Sequence, residues 1–516
     1  MTRAIAGVLG IDVGTTATKC VLVGENGQVI SEAEIGQTVS TPRPAWAEQD
    51  PDMWWNSTRE AVRQVLGQAA ALQSPVEIKA IGLSGQMHSS VFLDADCAVI
   101  RPAILWSDGR TTNQRREITD KLGMDGLHRT AGNLALEGFT ATKVLWLRDN
   151  EPENYGRLHK LLLAKDYVRY RLTGEFATEP SDAVGTLLFD VRRGDWSREM
   201  LSRLDISPDI LPRVVGSSEV SGRVTGSVAR EMGLQPGIPV VGGGGDNAAA
   251  AVGSGVVDVA RAQSSIGTSG TLLTPILEPN VDSRMRLHTF PHCVPSQWYL
   301  MGVILSAGNS LRWLRDVLLP EHEGGAYDLL TSEAGKVPAG SEGLFFLPYL
   351  SGERTPHNDS AARGVFFGIH LGHTRAHLVR AVMEGVCFAL RDSLELMRDL
   401  GVSLSEIRVV GGGARSHLWR QMQADIYGAR VVAMGPSGGP SYGASLLAAV
   451  GVGLIPSIRE GADRWLHVQE SAEPVRGDVR RYDDLYAQYR ELYPALKKQF
   501  LQTAKLMERF SVPSGS

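Results

Sequence analysis

Short apolar runs recur along this chain, and many of them end at glycine set beside a hydroxyl or an acid. Residues 8–12 and 18–23 read as two strands of a hairpin whose turn is Val13, Gly14, Thr15, Thr16 and Ala17. Residues 29–34 make a third strand. Asp50, Pro51 and Asp52 then announce a helix over 53–71, because Asp caps and Pro is pre-set for a first turn. Strand 78–83 ends in Ser84, Gly85, Gln86, Met87 and His88, strand 91–94 follows, and the apolar run 103–106 ends at Ser107, Asp108, Gly109 and Arg110. Residues 114–122 and a stretch opening at 142 read as helical, and a later helix stops at Gly174. The run 238–241 enters four successive glycines, 242–245, and then Asp246, with a helix starting just after it.

The pattern then restarts. Strand 262–266, the turn Gly267, Thr268, Ser269 and Gly270, and strand 271–274 repeat the strand, Gly-hydroxyl turn, strand order of 8–23. Strand 407–410 runs into Gly411, Gly412, Gly413 and Ala414, as 78–83 runs into Ser84 and Gly85. Residues 374–399 form a long helix with Leu378, Val382, Val386 and Leu390 on one face, 440–449 a small-residue helix, and 483–505 a last helix in which Pro494 marks a kink or break. The tail 511–516 reads as disordered. Strands alternating with helices in two similar halves give an α/β chain with an internal duplication, divided at 1–254 and 255–516.

Composition narrows the partners. At 516 residues the chain is too long for one core, which agrees with two halves. A net charge of −5 gives no broad surface for nucleic acid or an anionic membrane. The longest charge-free stretch, 431–458, is broken by Gly435, Pro436, Gly438, Gly439 and Pro440, too often to cross a bilayer. No secretory signal is evident, and Cys20, Cys97, Cys293 and Cys387 lack paired spacing, so they read as reduced thiols of a cytoplasmic protein. Oligomeric state, a homodimer included, stays open.

The chemistry gathers at the strand ends. Asp246, between a Gly-rich turn and a helix start, reads as a general base; the bland alternative is a helix N-cap. Gly14, Thr15 and Thr16 offer N–H and O–H groups to a phosphate, with Asp12 placed to hold Mg²⁺ or its water. Gly267, Thr268 and Ser269 repeat that offer from the second half, and Gly411, Gly412, Gly413 and Ala414 suit a nucleotide. His88, with Trp106 and Asp108 at a neighbouring strand end, combines hydrogen-bonding groups with a flat apolar face, which a sugar needs. Together these describe phosphoryl transfer from a nucleotide to a sugar hydroxyl.

The chain also resembles the FGGY carbohydrate kinases over nearly its whole length. The turn 11–16 resembles that family's first phosphate motif, 138–146 its first signature, and 364–368 with His377, Leu378 and 381–385 its second. Stretches 46–51, 85–88, 106–110, 245–249 and 349–357 resemble its ketopentose-phosphorylating members, although Ser107 stands where Asn is common. The resemblance implies two duplicated actin-like (ribonuclease-H-like) ATPase domains around a central cleft. It implies ATP as co-substrate with Mg²⁺, and D-xylulose as the first substrate to consider, with ribulose, glycerol or gluconate, or a non-catalytic sugar sensor, as alternatives. It implies that Met87, His88 and Asn247 join Trp106, Asp108 and Asp246 around the sugar, and that Lys19 serves the nucleotide. The halves are expected to close on the sugar.

Overall fold

The computed structural model describes residues 4–71, 75–320, 325–435 and 438–510, so the expectation for 511–516 lies outside the described residues. Two mixed sheets organise it. The first contains β1 (Ile5–Val13), β2 (Ala17–Gly24), β3 (Val29–Gly36), β4 (Val76–Gly85), β5 (Val220–Arg223), β6 (Pro239–Val241) and the short β7 (Gly244–Gly245). Its order is β5-β6-β4-β1-β2-β3, with β7 also beside β4. The second contains β8 (Arg261–Ile266), β9 (Gly270–Ile276), β10 (His288–Pro291), β11 (Trp298–Ile304), β12 (Glu406–Gly411), β13 (Arg430–Met434) and β14 (Val468–Ala472). Its order is β10-β11-β9-β8-β12-β13-β14.

The duplication is visible in the pairing. A hairpin, β1/β2 or β8/β9, sits beside a parallel strand, β4 or β12, and a further parallel neighbour, β6 or β13, is followed by an antiparallel edge strand, β5 or β14. Both sheets thus aim a hairpin turn and a parallel-strand end at the same side, where α/β sheets place their ligands.

Helices cover the sheets as their capping residues direct. Helix α1 (Pro51–Ala70) starts at Asp50, whose carboxylate accepts the Asp52 N–H, with Pro51 in its first turn. The signature 138–146 enters α2 (Thr140–Asn150), and α3 (Ala164–Thr173) ends at Gly174 with φ 78°, a left-handed stop. Helix α4 (Asp246–Gly253) follows the four glycines. In the second half, α5 (Arg375–Asp399) is buried along most of its length, α6 (His417–Tyr427) follows the 411–414 loop, and α7 (Pro440–Gly451) and α8 (Arg476–Phe510) close the chain. Helix α8 begins earlier than its apolar stripe suggests and runs on through Pro494 as one helix. Tyr482, Tyr486, Tyr489, Leu492, Tyr493 and Phe500 are buried in the second core, and that burial outweighs the lost hydrogen bond.

Helix α7 is the surprise of the packing. It belongs to the C-terminal half by sequence, yet it lies on β1 and β4 of the first sheet, and Tyr442, Leu446 and Leu447 enter that half's core. The approach is backbone to backbone: a side chain on Gly10 or Gly82 would collide with the carbonyl oxygens of Ser441 and Ala444. Tyr442 donates its hydroxyl to the Gly27 carbonyl at 2.7 Å, and Trp465 donates its indole N–H to Glu25 O at 3.3 Å.

Candidate active site

Asp12 stands near the end of β1, across the hairpin from Lys19 and beside Ser84 of β4. Its Oδ1 has no hydrogen-bond partner and no exposure to solvent. Burial, and next the charge of Asp246, raise its pKa to about 7. Two carboxylates act on one another here, one of them with an unpaired buried oxygen, and Lys19 offsets only part of that charge. Among the described residues no cluster of three or more His, Cys, Asp or Glu could hold a metal ion. The unpaired, buried Asp12 Oδ1 suits Mg²⁺ held through a single protein ligand, with phosphate and water supplying the others, as Mg²⁺ is commonly held.

Asp246 corrects one expectation. The helix N-cap is Gly245, and Asp246 is the first residue of α4. Its Oδ1 accepts from the Asn247 backbone N–H at 2.7 Å and from the Asn247 side-chain amide at 2.8 Å. Those donors and the helix dipole favour the charged form, but burial outweighs them and raises the pKa to about 6. The group is still ionised near neutral pH, and it holds its proton more strongly than an exposed carboxylate, as a base must.

The 84–88 loop abuts this acid. Asn247 Nδ2 lies 4.0 Å from Met87 Sδ, and a side chain on Gly245 would crowd Met87. His88 has φ 68°, a left-handed conformation that a non-glycine residue adopts only when held there. It is held from both ends. Its carbonyl accepts from Thr140 Oγ1 and Lys143 Nζ, both at 2.8 Å, so the first signature acts as a bracket behind the loop. Its Nδ1 lies 2.7 Å from Gly185 O. A carbonyl only accepts, so Nδ1 carries the proton and Nε2 presents a lone pair. Burial lowers the imidazole pKa to about 3, which keeps the ring neutral.

Thr15 links Trp106 to the 84–88 loop. Its hydroxyl accepts the Trp106 indole N–H at 2.9 Å and donates to Gln86 Oε1 at 3.2 Å. That hydroxyl is already used, and the Gly14 N–H donates to the Ala17 carbonyl at 3.0 Å, which leaves the exposed Thr16 as the open part of the turn. Trp106 keeps 40% of its surface open. Asp108 is a correction. It is 2% exposed, and its oxygens accept from Ala47 N–H at 2.6 Å and from the Arg110 backbone and guanidinium at 2.7–2.9 Å. It fastens Arg110, which stacks on Trp46 at 3.5 Å, and has no free oxygen for a sugar.

Opposite these residues, the 411–414 loop separates two cavities. One, of about 840 Å³, is lined by Lys19, Asp246, Asn247, Ser265, Gly411 and Ala414. The other, of about 1010 Å³, is lined by Gly267, Thr268, Asn309, Tyr327, Gly412 and Gly413. Lys19 is salt-bridged to Glu32 at 2.9 Å. Ser269 closes its turn by accepting Gly267 N–H at 3.0 Å through its carbonyl.

His288 and Asn133 lie outside every stretch singled out in the sequence, yet they pack near His88. His288 lies 2.9 Å from Asn133 Oδ1 and stacks on Phe290, and Phe139 packs edge-on to His88 with ring centres 4.8 Å apart. A second-half strand, β10, thus packs behind the 84–88 loop. Arg354 sits in the quoted stretch 349–357, and its charge acts on both His88 and His288. Asn133 is 155 positions from His288, and only the tertiary fold brings it to β10.

Residues 7–253 match the N-terminal domain of the FGGY family of carbohydrate kinases, and residues 262–452 match its C-terminal domain. The chain belongs to that family, and its fold is the two-domain, ribonuclease-H-like ATPase fold that the resemblance implied. Among its relatives are xylulose kinases. It is 40% identical to that of Escherichia coli (strain K12) over 494 residues, 96% of this chain and 99% of the relative. It is also 40% identical to that of Bacillus subtilis (strain 168) over 490 residues, 95% and 97% of the two chains. The crystal structure of xylulose kinase from Rhodospirillum rubrum superposes with a TM-score of 0.89 at 30% identity, covering 96% of this chain and 99% of the other.

One consequence follows for stability. Asp12 has a folded pKa above its unfolded value of 3.8, so it costs stability progressively as pH rises from about 4 to 7. Asp12→Asn should melt roughly 2–4 °C above the parent at pH 8, with the gap closing towards pH 4, while losing activity. Differential scanning calorimetry across that range reads both the sign and the pH window.

Proposed function

We propose that this chain transfers the γ-phosphoryl group of ATP to D-xylulose, giving D-xylulose 5-phosphate. The observation that carries the reading is the continuous row Met87, Asn247, Asp246 on the wall facing the 411–414 loop, in a chain 40% identical to xylulose kinases along nearly its full length. Residues 1–254 supply the sugar loop and the base, and residues 255–516 supply most of the nucleotide site.

His88 accepts a sugar hydroxyl at Nε2, Trp106 offers its open face to the C–H side of the sugar, and Asn247 holds Asp246 in orientation. A sugar hydroxyl has a very high pKa, so Asp246 removes its proton late, as the bond to phosphorus forms. The Gly14–Thr16 and Gly267–Ser269 turns, with Lys19, receive the phosphates, and Gly411–Ala414 the rest of the nucleotide. Asp12 would hold Mg²⁺, which would supply positive charge to neutralise the phosphates. Closure of the halves on the sugar would exclude water and limit wasteful ATP hydrolysis. We propose a cytoplasmic activity, which the four free cysteines suit.

A coupled ADP-release assay over a panel of ketopentoses and polyols tests this directly. D-Xylulose should be preferred by about tenfold or more in kcat/KM. Stimulation by none of the sugars would overturn the catalytic reading, and a stronger response to ribulose, glycerol or gluconate would reassign the substrate. His88→Ala should raise KM for the sugar about tenfold and leave KM for ATP unchanged.

A further inference from the structure

Four glycines precede Asp246 and carry no side chains, so nothing of their own fixes the direction in which the acid points. They are fixed from outside. Arg169 of α3 donates to the Val241 carbonyl at 2.6 Å and the Gly242 carbonyl at 2.5 Å. The Ser217 carbonyl accepts the Gly243 N–H at 2.7 Å, and Ser181 Oγ accepts the Gly245 N–H at 3.0 Å. Gly243 has φ 74°, and a side chain there would collide with the Leu83 carbonyl, so the turn also lies flat on β4.

Behind these contacts stands a network of charges with no exposure at all. Lys165 Nζ is 2.6 Å from Asp166 Oδ1 and 3.0 Å from Asp182 Oδ2, and Arg169 reaches Asp166 at 3.4 Å. Glu179 accepts from Ser181 Oγ at 2.9 Å, from Ser217 Oγ at 3.1 Å, and from the N–H groups of Ser181 and Asp182. Glu179 thereby orients Ser181 Oγ, leaving its lone pairs for Gly245. Buried ions are a poor way to stabilise a fold, since apolar residues of the same volume often do as well or better. Here the network reaches the backbone groups that lead directly into Asp246.

We infer that Arg169 and Ser181 are positioning residues for phosphoryl transfer, setting through the backbone of 241–245 where the Asp246 carboxylate stands relative to the sugar hydroxyl. This rests on Asp246 being the base. Neither residue touches the substrate, so the effect falls on the chemical step and not on nucleotide binding. Displacements of about 1 Å at a reacting group cost around 100-fold in rate.

Ser181→Ala is the decisive variant, because it removes one oxygen while Glu179 keeps its other donors. It should lower kcat about 10- to 100-fold with KM for ATP within about twofold of the parent. Arg169→Lys keeps the charge but loses the two-pronged grip on 241 and 242, and should show the same split. Asp246→Asn is measured alongside. If Asp246→Asn abolishes turnover while Ser181→Ala and Arg169→Lys both keep kcat within twofold, the network is structural only and the inference falls, whatever happens to their melting temperatures. If Asp246→Asn itself keeps full turnover, the base assignment falls first.

Discussion

Asp246→Asn should lower kcat by about 10²- to 10⁴-fold and leave sugar affinity within a few-fold of the parent. The substitution is nearly isosteric. Its amide oxygen can still accept from the Asn247 backbone at the start of α4, so the turn should keep its shape. What disappears is the lone pair that takes the hydroxyl proton. In the parent, kcat/KM should fall about tenfold per pH unit below about 6, the pH at which the raised Asp246 pKa leaves half the acid protonated. That limb should be missing from the residual activity of Asp246→Asn. Steady-state kinetics between pH 5 and 8 on both proteins would show it, and an unchanged kcat in the variant would remove Asp246 from the mechanism.

The second large effect concerns assembly. Gly443→Val should destabilise the protein by about 3 kcal/mol or more, seen as a melting temperature lower by roughly 6 °C or as loss of soluble protein. A side chain on Gly443 would overlap the Ala249 carbonyl oxygen, and one on Gly253 would overlap the Gly439 carbonyl. Helices α4 and α7 therefore touch backbone to backbone, with no flexible side chain to move aside. Because α4 begins with Asp246, pushing α7 away should also lower turnover in whatever protein still folds. Gly67→Ala is the contrasting control. It lies exposed within α1 with nothing within 4 Å of an added side chain, and alanine there should stabilise by about 0.5–1 kcal/mol.

The parts of the fold that sequence reveals are those built by neighbours. The hairpins at 8–23 and 262–274, the cap at Asp50 and the stop at Gly174 are set by residues a few positions apart, and all four are present. Asp12 and Asp246 were likewise legible at strand ends, and Met87 and Asn247 through the family resemblance; the fold brings the four near one another. Asp108 misled because a free acid beside an aromatic looks like a sugar ligand until its partners are known. Ala47 lies 61 positions away, and no local pattern gives that contact. The burial that raises the Asp246 pKa was invisible for the same reason, since the local donors argue in the opposite direction. The crossing of α7 onto the first sheet had a faint signal in its small residues, but their role appears only when Gly10, Gly82 and Gly443 are seen in contact with opposing backbone.

The hydroxyl of Thr15 has a consequence for how variants of this protein should be sorted. One oxygen is hydrogen-bonded to the Trp106 indole, proposed to face the sugar, and to Gln86 at the root of the 84–88 loop, and it sits in the turn proposed to receive phosphate. Mutational effects there cannot be divided into a sugar column and a nucleotide column. A change at Thr15 is registered by both substrates at once, so its kinetic signature should be a coupling between the two Michaelis constants, with each depending on the concentration of the other substrate more steeply than in the parent.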